Sequence, residues 1–184
     1  MNFELICLYS GVFSILFTWL FVVFPIFFVK VDIKNETISE VIGRSRLTLF
    51  SVTSGLLLGG LSQIFFLYNL ILKFKLEDNY LFTVLYLSTC IATLAVAFLP
   101  EYKYKRPHAV FVRYYFITFP ICMFLMALML YQKYLLTSTL SFLLILLYAV
   151  GNALILFRFK KPTAISEIFS FFILSVWVIL MTFC

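Results

Sequence analysis

The chain has 184 residues, of which 64% are hydrophobic and 12% charged, with 24 phenylalanines and a net charge of +6. A water-soluble domain carries about twice that share of charge, so the composition excludes a soluble globule and assigns most of the surface to lipid. The positive charge does not point to nucleic acid: no basic helix face or zinc-ligand spacing occurs, and the lysines and arginines lie in short loops between apolar runs, as topology signals and headgroup contacts do.

A helix needs about 20 apolar residues to cross the hydrocarbon. Six segments meet or approach that, at residues 5–29, 47–72, 81–99, 114–131, 135–157 and 168–184. The predicted fold is an all-α bundle of six transmembrane helices in a single domain. The first segment follows one early charge, Glu4, and lacks the positive lead and short apolar core of a secretory signal, so it reads as a retained span. Pro25 near its end, and Pro120 inside the fourth span, each remove a backbone donor and predict a bend.

The second span has a polar lead-in. Thr37 and Glu40 stand at the spacing of a capping box. On one continuous helix from there, at about 100° per residue, Gly43, Arg44, Leu47, Ser51, Ser54, Gly55, Leu58 and Ser62 fall within about 60° of Glu40. That face is small and hydroxylated, with a carboxylate and a guanidinium four residues apart at its mouth, where they can pair. Ser51, Gly55 and Gly59 recur every four residues and let another backbone approach, which predicts helix packing inside the bundle rather than a seam between two copies.

The third span stops at Pro100 and Glu101, and the fourth can begin as early as Pro107, a favourable first-turn residue. In the fifth, Asn152 is an amide that hydrocarbon penalises unless it is bonded, so it is expected to join helices rather than hold a ligand. Tyrosines cluster near the span ends, as interfacial belts do. Eleven of the fourteen lysines and arginines fall in the first, third and fifth loops. The positive-inside rule puts those loops in the cytoplasm and both termini outside. The sequon at Asn35 would matter only in the opposite orientation.

No cofactor or metal is expected. Cys7, Cys90, Cys122 and Cys184 are scattered, His108 is the single histidine, and a haem with paired histidine ligands is therefore excluded. Arg106-Pro107 lacks the downstream elements of lipid phosphatases. What remains is a cluster at the basic end: Glu40 and Arg44 from the second span, and Glu101, Lys105, Arg106, His108 and Arg113 around the start of the fourth. A carboxylate, an imidazole and several cations at one interface suit a lipid headgroup. The leading expectation is a non-enzymatic membrane protein that binds membrane lipids, or another membrane protein, through Ser39, Glu40, Arg44, Glu101, Arg106, His108 and Arg113. The alternatives are a small lipid-modifying enzyme with Glu40 and His108 as acid and base, or a transporter or channel subunit. An enzyme requires those two groups near a common point. The transporter reading lacks a charge at mid-span.

Ile38-Ser39-Glu40 followed by Gly43, then Phe98-Leu99-Pro100 with His108 beyond it, resembles a group of small prokaryotic six-span membrane proteins of unknown function, themselves similar to the DRAM/Sfk-like proteins of eukaryotes. The likeness runs over residues 1–130 in order of elements and rests on few identities. It implies a six-helix bundle in which Ser39, Glu40 and His108 converge at one membrane face, lipid- or stress-related roles, and a prokaryotic plasma membrane. In that group the polar face is expected outside the cell, opposite to the side given by the Lys and Arg count.

Overall fold

The computed structural model describes residues 3–29, 32–42 and 44–184; Lys30, one of the eleven basic loop residues, and Gly43 lie outside the described residues. Helix α1 (Phe3–Phe17) continues as a π-helical segment (Thr18–Val23) and a 3-10 segment (Phe24–Phe28). It is followed by α2 (Ile38–Ile42), α3 (Arg46–Phe74), α4 (Tyr80–Phe98), α5 (Glu101–Leu130), α6 (Leu135–Phe159) and α7 (Ala164–Phe183), with no strand among the described residues. All but α2 give segments long and apolar enough to cross a membrane, six in total. The protein is therefore a multi-pass integral membrane protein with an all-α, six-span fold.

The spans close a ring: α1 packs on α3, α3 on α4, α4 on α5, α5 on α6, α6 on α7, and α7 back on α1. Lipid tails are as apolar as leucine, so such a ring is held by close packing and interhelical hydrogen bonds rather than by escape from water. Its centre is aromatic and sulfur-rich. Tyr86, Phe119 and Trp177, one each from α4, α5 and α7, pack at an angle, the first pair tilted and the second edge-to-face, with ring centroids 5.5 and 5.6 Å apart, and Met123, Met126 and Met181 fill the space around them. Leu143, Leu146, Leu154 and Phe157 of α6 point outward into lipid.

The two ends of the ring differ. At one, the Lys73 ammonium donates to the carbonyls of Met181 and Thr182 at 3.1 and 3.0 Å, closing the open C-terminal end of α7. At the other, the segment around α2 joins the starts of α5 and α7, so the first, third and fifth loops share one side.

The continuous helix expected from Thr37 onward does not form. The capping box is present: Glu40 Oε2 accepts the Thr37 N–H at 2.8 Å and Thr37 Oγ1 accepts the Glu40 N–H at 3.3 Å. It opens only the five residues of α2. Ser45, in extended backbone, then starts α3 afresh by accepting the Thr48 N–H at 3.0 Å. A second cap so soon after the first offers the backbone an alternative to helix, and the chain breaks between them. Glu40 and Arg44 consequently share no face. Arg44 pairs with Glu36 instead, and Leu47 and Leu58 from the expected packing face are exposed to lipid.

Further along α3 the small residues meet α1. The Ser51 hydroxyl donates to the Phe21 carbonyl at 3.0 Å, Gly55 lies against Phe17, Phe21 and Val22, and Gly59 against Ser14 and Thr18. The first span leaves α-helical geometry at Thr18, a full turn and more before Pro25. Inside α5 the backbone departs from helical dihedrals at Tyr104 (φ −129°, ψ 51°), not at Pro120. That kink leaves Pro107 in the first turn of the straight part, where a missing donor costs nothing. Helix α7 begins at Ala164 rather than 168, because Ser166 Oγ accepts the Thr163 N–H at 3.0 Å and caps an extra turn.

Candidate functional site

Helix α2 is too short to stand alone, and its neighbours hold it in place. Glu167, in the first turn of α7 and buried, accepts the Ile38 N–H on Oε2 at 2.7 Å. The Glu36 carbonyl accepts the Ala164 N–H at 2.6 Å. Ile38 and Val41 bury their side chains in the bundle end. At the exposed edge of this loop, the hydrogen bond from Arg44 holds the Glu36 carboxyl below the usual carboxylate range.

The third tie to α2 runs through His108, which is 3% exposed although it lies near a helix end. Its Nδ1 stands 2.6 Å from the Leu99 carbonyl and its Nε2 2.9 Å from Ser39 Oγ. A carbonyl can only accept, so Nδ1 carries the proton. In the neutral ring Nε2 is then the acceptor, and the Ser39 hydroxyl donates to it.

Beside this pair opens a cavity of about 420 Å³ between the α2 segment, α5, α6 and α7. Glu40, Glu101, Lys105, His108, Arg113 and Glu167 line one end of it. Val112, Phe116, Ile117 and Leu156 make an apolar side, and Ile117 (63% exposed) and Leu156 (43%) belong equally to the lipid-facing surface. A second, smaller cavity of about 90 Å³ lies inside the ring, walled by residues of α1, α3, α4, α5 and α7. Ser39, Val112, Phe116 and Glu167 belong to the walls of both.

Five of the seven residues expected to form the site, Ser39, Glu40, Glu101, His108 and Arg113, thus meet at one cavity, and Lys105 of the same cluster joins them. Arg44 and Arg106 do not. Arg44 is turned to Glu36 by the break before α3, and Arg106 is exposed, off the cavity wall. Glu40 and His108 share the cavity, but their direct partners are others: Thr37 for the carboxylate, Ser39 and Leu99 for the imidazole. Asn152 has two positions at once. It donates to Ser170 Oγ at 3.0 Å and to the Tyr148 carbonyl at 3.1 Å, linking α6 to α7, and it also lines the cavity.

Sequence reasoning missed Glu167, although it is the only acidic residue after Glu101 and stands one turn past a Pro-Thr pair at the mouth of a span. It also missed Gln63, which joins three helices inside the ring. The Gln63 side chain donates to Ser14 Oγ at 2.6 Å and accepts from the Tyr86 hydroxyl. Among the described residues no group of three or more His, Cys, Asp or Glu side chains is placed to hold a metal. Comparison with protein families, with characterised proteins and with solved structures finds no match to this chain.

Proposed function

We propose that the protein binds a membrane lipid in the larger cavity, with the headgroup among the ionic residues and hydrocarbon against Val112, Phe116 and Ile117. One observation carries this reading: a single cavity joins charged groups at the helix ends to an apolar side that reaches the lipid-facing surface. The ionic end offers both signs, with Lys105 and Arg113 suited to a phosphate and Glu40 and Glu101 to an ammonium group. A polar solute would have no use for the apolar side, and an ion cluster serving only to mark topology needs no cavity behind it.

Photo-crosslinking tests this. A phospholipid carrying a diazirine in its acyl chain, added to the purified chain in nanodiscs, should give adducts concentrated at residues 112–117 and 148–156. Ile117→Trp, which fills the apolar side without touching an ionic group, should lower their yield about tenfold, a loss of about 1.4 kcal/mol in binding. Adducts spread evenly over the outer surface, unchanged by that substitution, would overturn the reading.

We also propose a placement in a prokaryotic plasma membrane with the α2 end in the cytoplasm, and kinship with the six-span group named above, from whose expected outward polar face this orientation departs. Eleven of fourteen Lys and Arg residues support the orientation, and the meeting of Ser39, Glu40 and His108 supports the kinship. Cys184 is exposed, at the other end of the ring, and provides an internal control. An impermeant maleimide on intact cells should label Cys184, while Lys103→Cys in a Cys184→Ser background stays unlabelled until the membrane is opened. The reverse pattern would invert the topology.

A further inference from the structure

We infer that Ser39 and His108 form a nucleophile–base pair that cleaves an ester bond of the bound lipid. This inference rests on the lipid-binding reading and goes beyond it by naming a reaction.

Three observations carry it. First, the hydrogen-bond order is that of an activated serine. The Leu99 carbonyl fixes the Nδ1 proton at 2.6 Å, which leaves the Nε2 lone pair facing Ser39 Oγ at 2.9 Å. Nucleophile, base and an acceptor that orients the base are then all present, a backbone carbonyl standing in the third place. Second, the base is buried and the nucleophile is not. His108 is 3% exposed, whereas Ser39 is half-buried and open to the cavity. A pair that served only to tie α2 to α5 has no need of a cavity at its side. Third, Ser39 lies on the wall common to both cavities. An ester joins a hydrocarbon chain to a polar alcohol. With the chain against Val112 and Phe116, which line that same shared wall, and the alcohol portion among the ionic residues of the larger cavity, the carbonyl carbon comes to rest beside Ser39.

The reaction balances with water as the only co-reactant. Ser39 Oγ bonds to the acyl carbonyl carbon while its proton passes to His108 Nε2. The bond from that carbon to the alkoxy oxygen then breaks, and the alcohol leaves with the proton held on Nε2. Water, losing a proton to the same nitrogen, next bonds to the acyl carbon. The acyl–Ser39 bond breaks, the hydroxyl regains its proton, and a fatty acid is released. Exposed Glu40, Lys105 and Arg113 at the mouth keep the site in contact with interfacial water.

A fluorophosphonate with a long alkyl chain, reacted with the full chain in nanodiscs, tests the pair directly. Peptide mapping of the unaltered protein should place the adduct on Ser39, which requires no variant to fold. His108→Gln should slow the labelling about 100-fold or more while the melting temperature of the bundle shows whether the fold persists. Ser39→Ala should abolish release of fatty acid from a fluorescent phospholipid, and Ser39→Cys should retain acylation. No adduct on Ser39 in the folded wild-type chain, or ester cleavage unchanged by Ser39→Ala, would overturn the inference. The photo-crosslinks separate the two readings: adducts at residues 112–117 without fluorophosphonate labelling leave lipid binding standing and remove the chemistry. Absence of both removes both.

Discussion

Gly55→Leu should prevent the bundle from assembling, whereas Gly59→Ala, one turn away on the same helix, should be tolerated. A Cβ placed on Gly55 would lie 2.6 Å from Phe21 Cβ and 3.1 Å from the Phe17 carbonyl. Neither is the free end of a flexible side chain, so α1 itself must move. Even Gly55→Ala should cost about 1–3 kcal/mol through overpacking, more than the gain of up to about 1 kcal/mol that alanine brings to a helix interior. Leucine adds three further carbons and would also displace the Ser51–Phe21 bond one turn before. At Gly59 the nearest atoms stand at 3.5 and 3.7 Å, which is ordinary contact. Size-exclusion profiles in mild detergent and thermal melts of the three variants measure this contrast. Equal stability of Gly55→Ala and Gly59→Ala would contradict the α1–α3 contact described above.

The second large effect is expected at Gln63. Gln63→Leu keeps the volume of the site but strands the hydroxyl of Tyr86, which is fully buried, and that of Ser14, 3% exposed. Each buried polar group left without a partner costs about 1–3 kcal/mol, and hydrocarbon outside the ring offers no water to relieve it. The loss should therefore exceed the ordinary value of one interhelical hydrogen bond in a membrane, about 0.6 kcal/mol. Tyr86→Phe in the Gln63→Leu background provides the decisive arm. Removing the stranded hydroxyl should recover part of the lost stability, because an apolar pair in place of a hydrogen-bonded pair is nearly neutral. A reversible unfolding assay over the four combinations reads the coupling, and additive losses would show that the two side chains do not depend on each other.

The six spans were legible because uncharged runs of this length have only one solvent in which they are stable. The inward faces were not. In water a helix advertises its buried side by apolar periodicity, but here the side facing lipid is as apolar as the side facing the core, so hydropathy does not separate Leu58, which is exposed, from Val52, which is buried. The error at Arg44 has a different origin. The capping box at Thr37 was legible, but the competing cap at Ser45 turned a single helix into two, and every angle counted past Glu40 was then wrong. The meeting of Ser39 with His108, 69 positions apart, follows from ring closure at one end of the bundle, which no local pattern encodes. Glu167 and Gln63 were overlooked because neither has another ionisable or amide residue within four positions in the sequence, and its meaning lies entirely in the partner it finds.

Because α6 forms one side of the larger cavity and faces lipid along most of its length, molecules can arrive there sideways, from within a single leaflet. Encounters of that kind are two-dimensional. For the lipid proposed to bind there, occupancy should follow its mole fraction in the bilayer and not its bulk concentration, so swelling a micelle with detergent at constant lipid should empty the site by surface dilution alone.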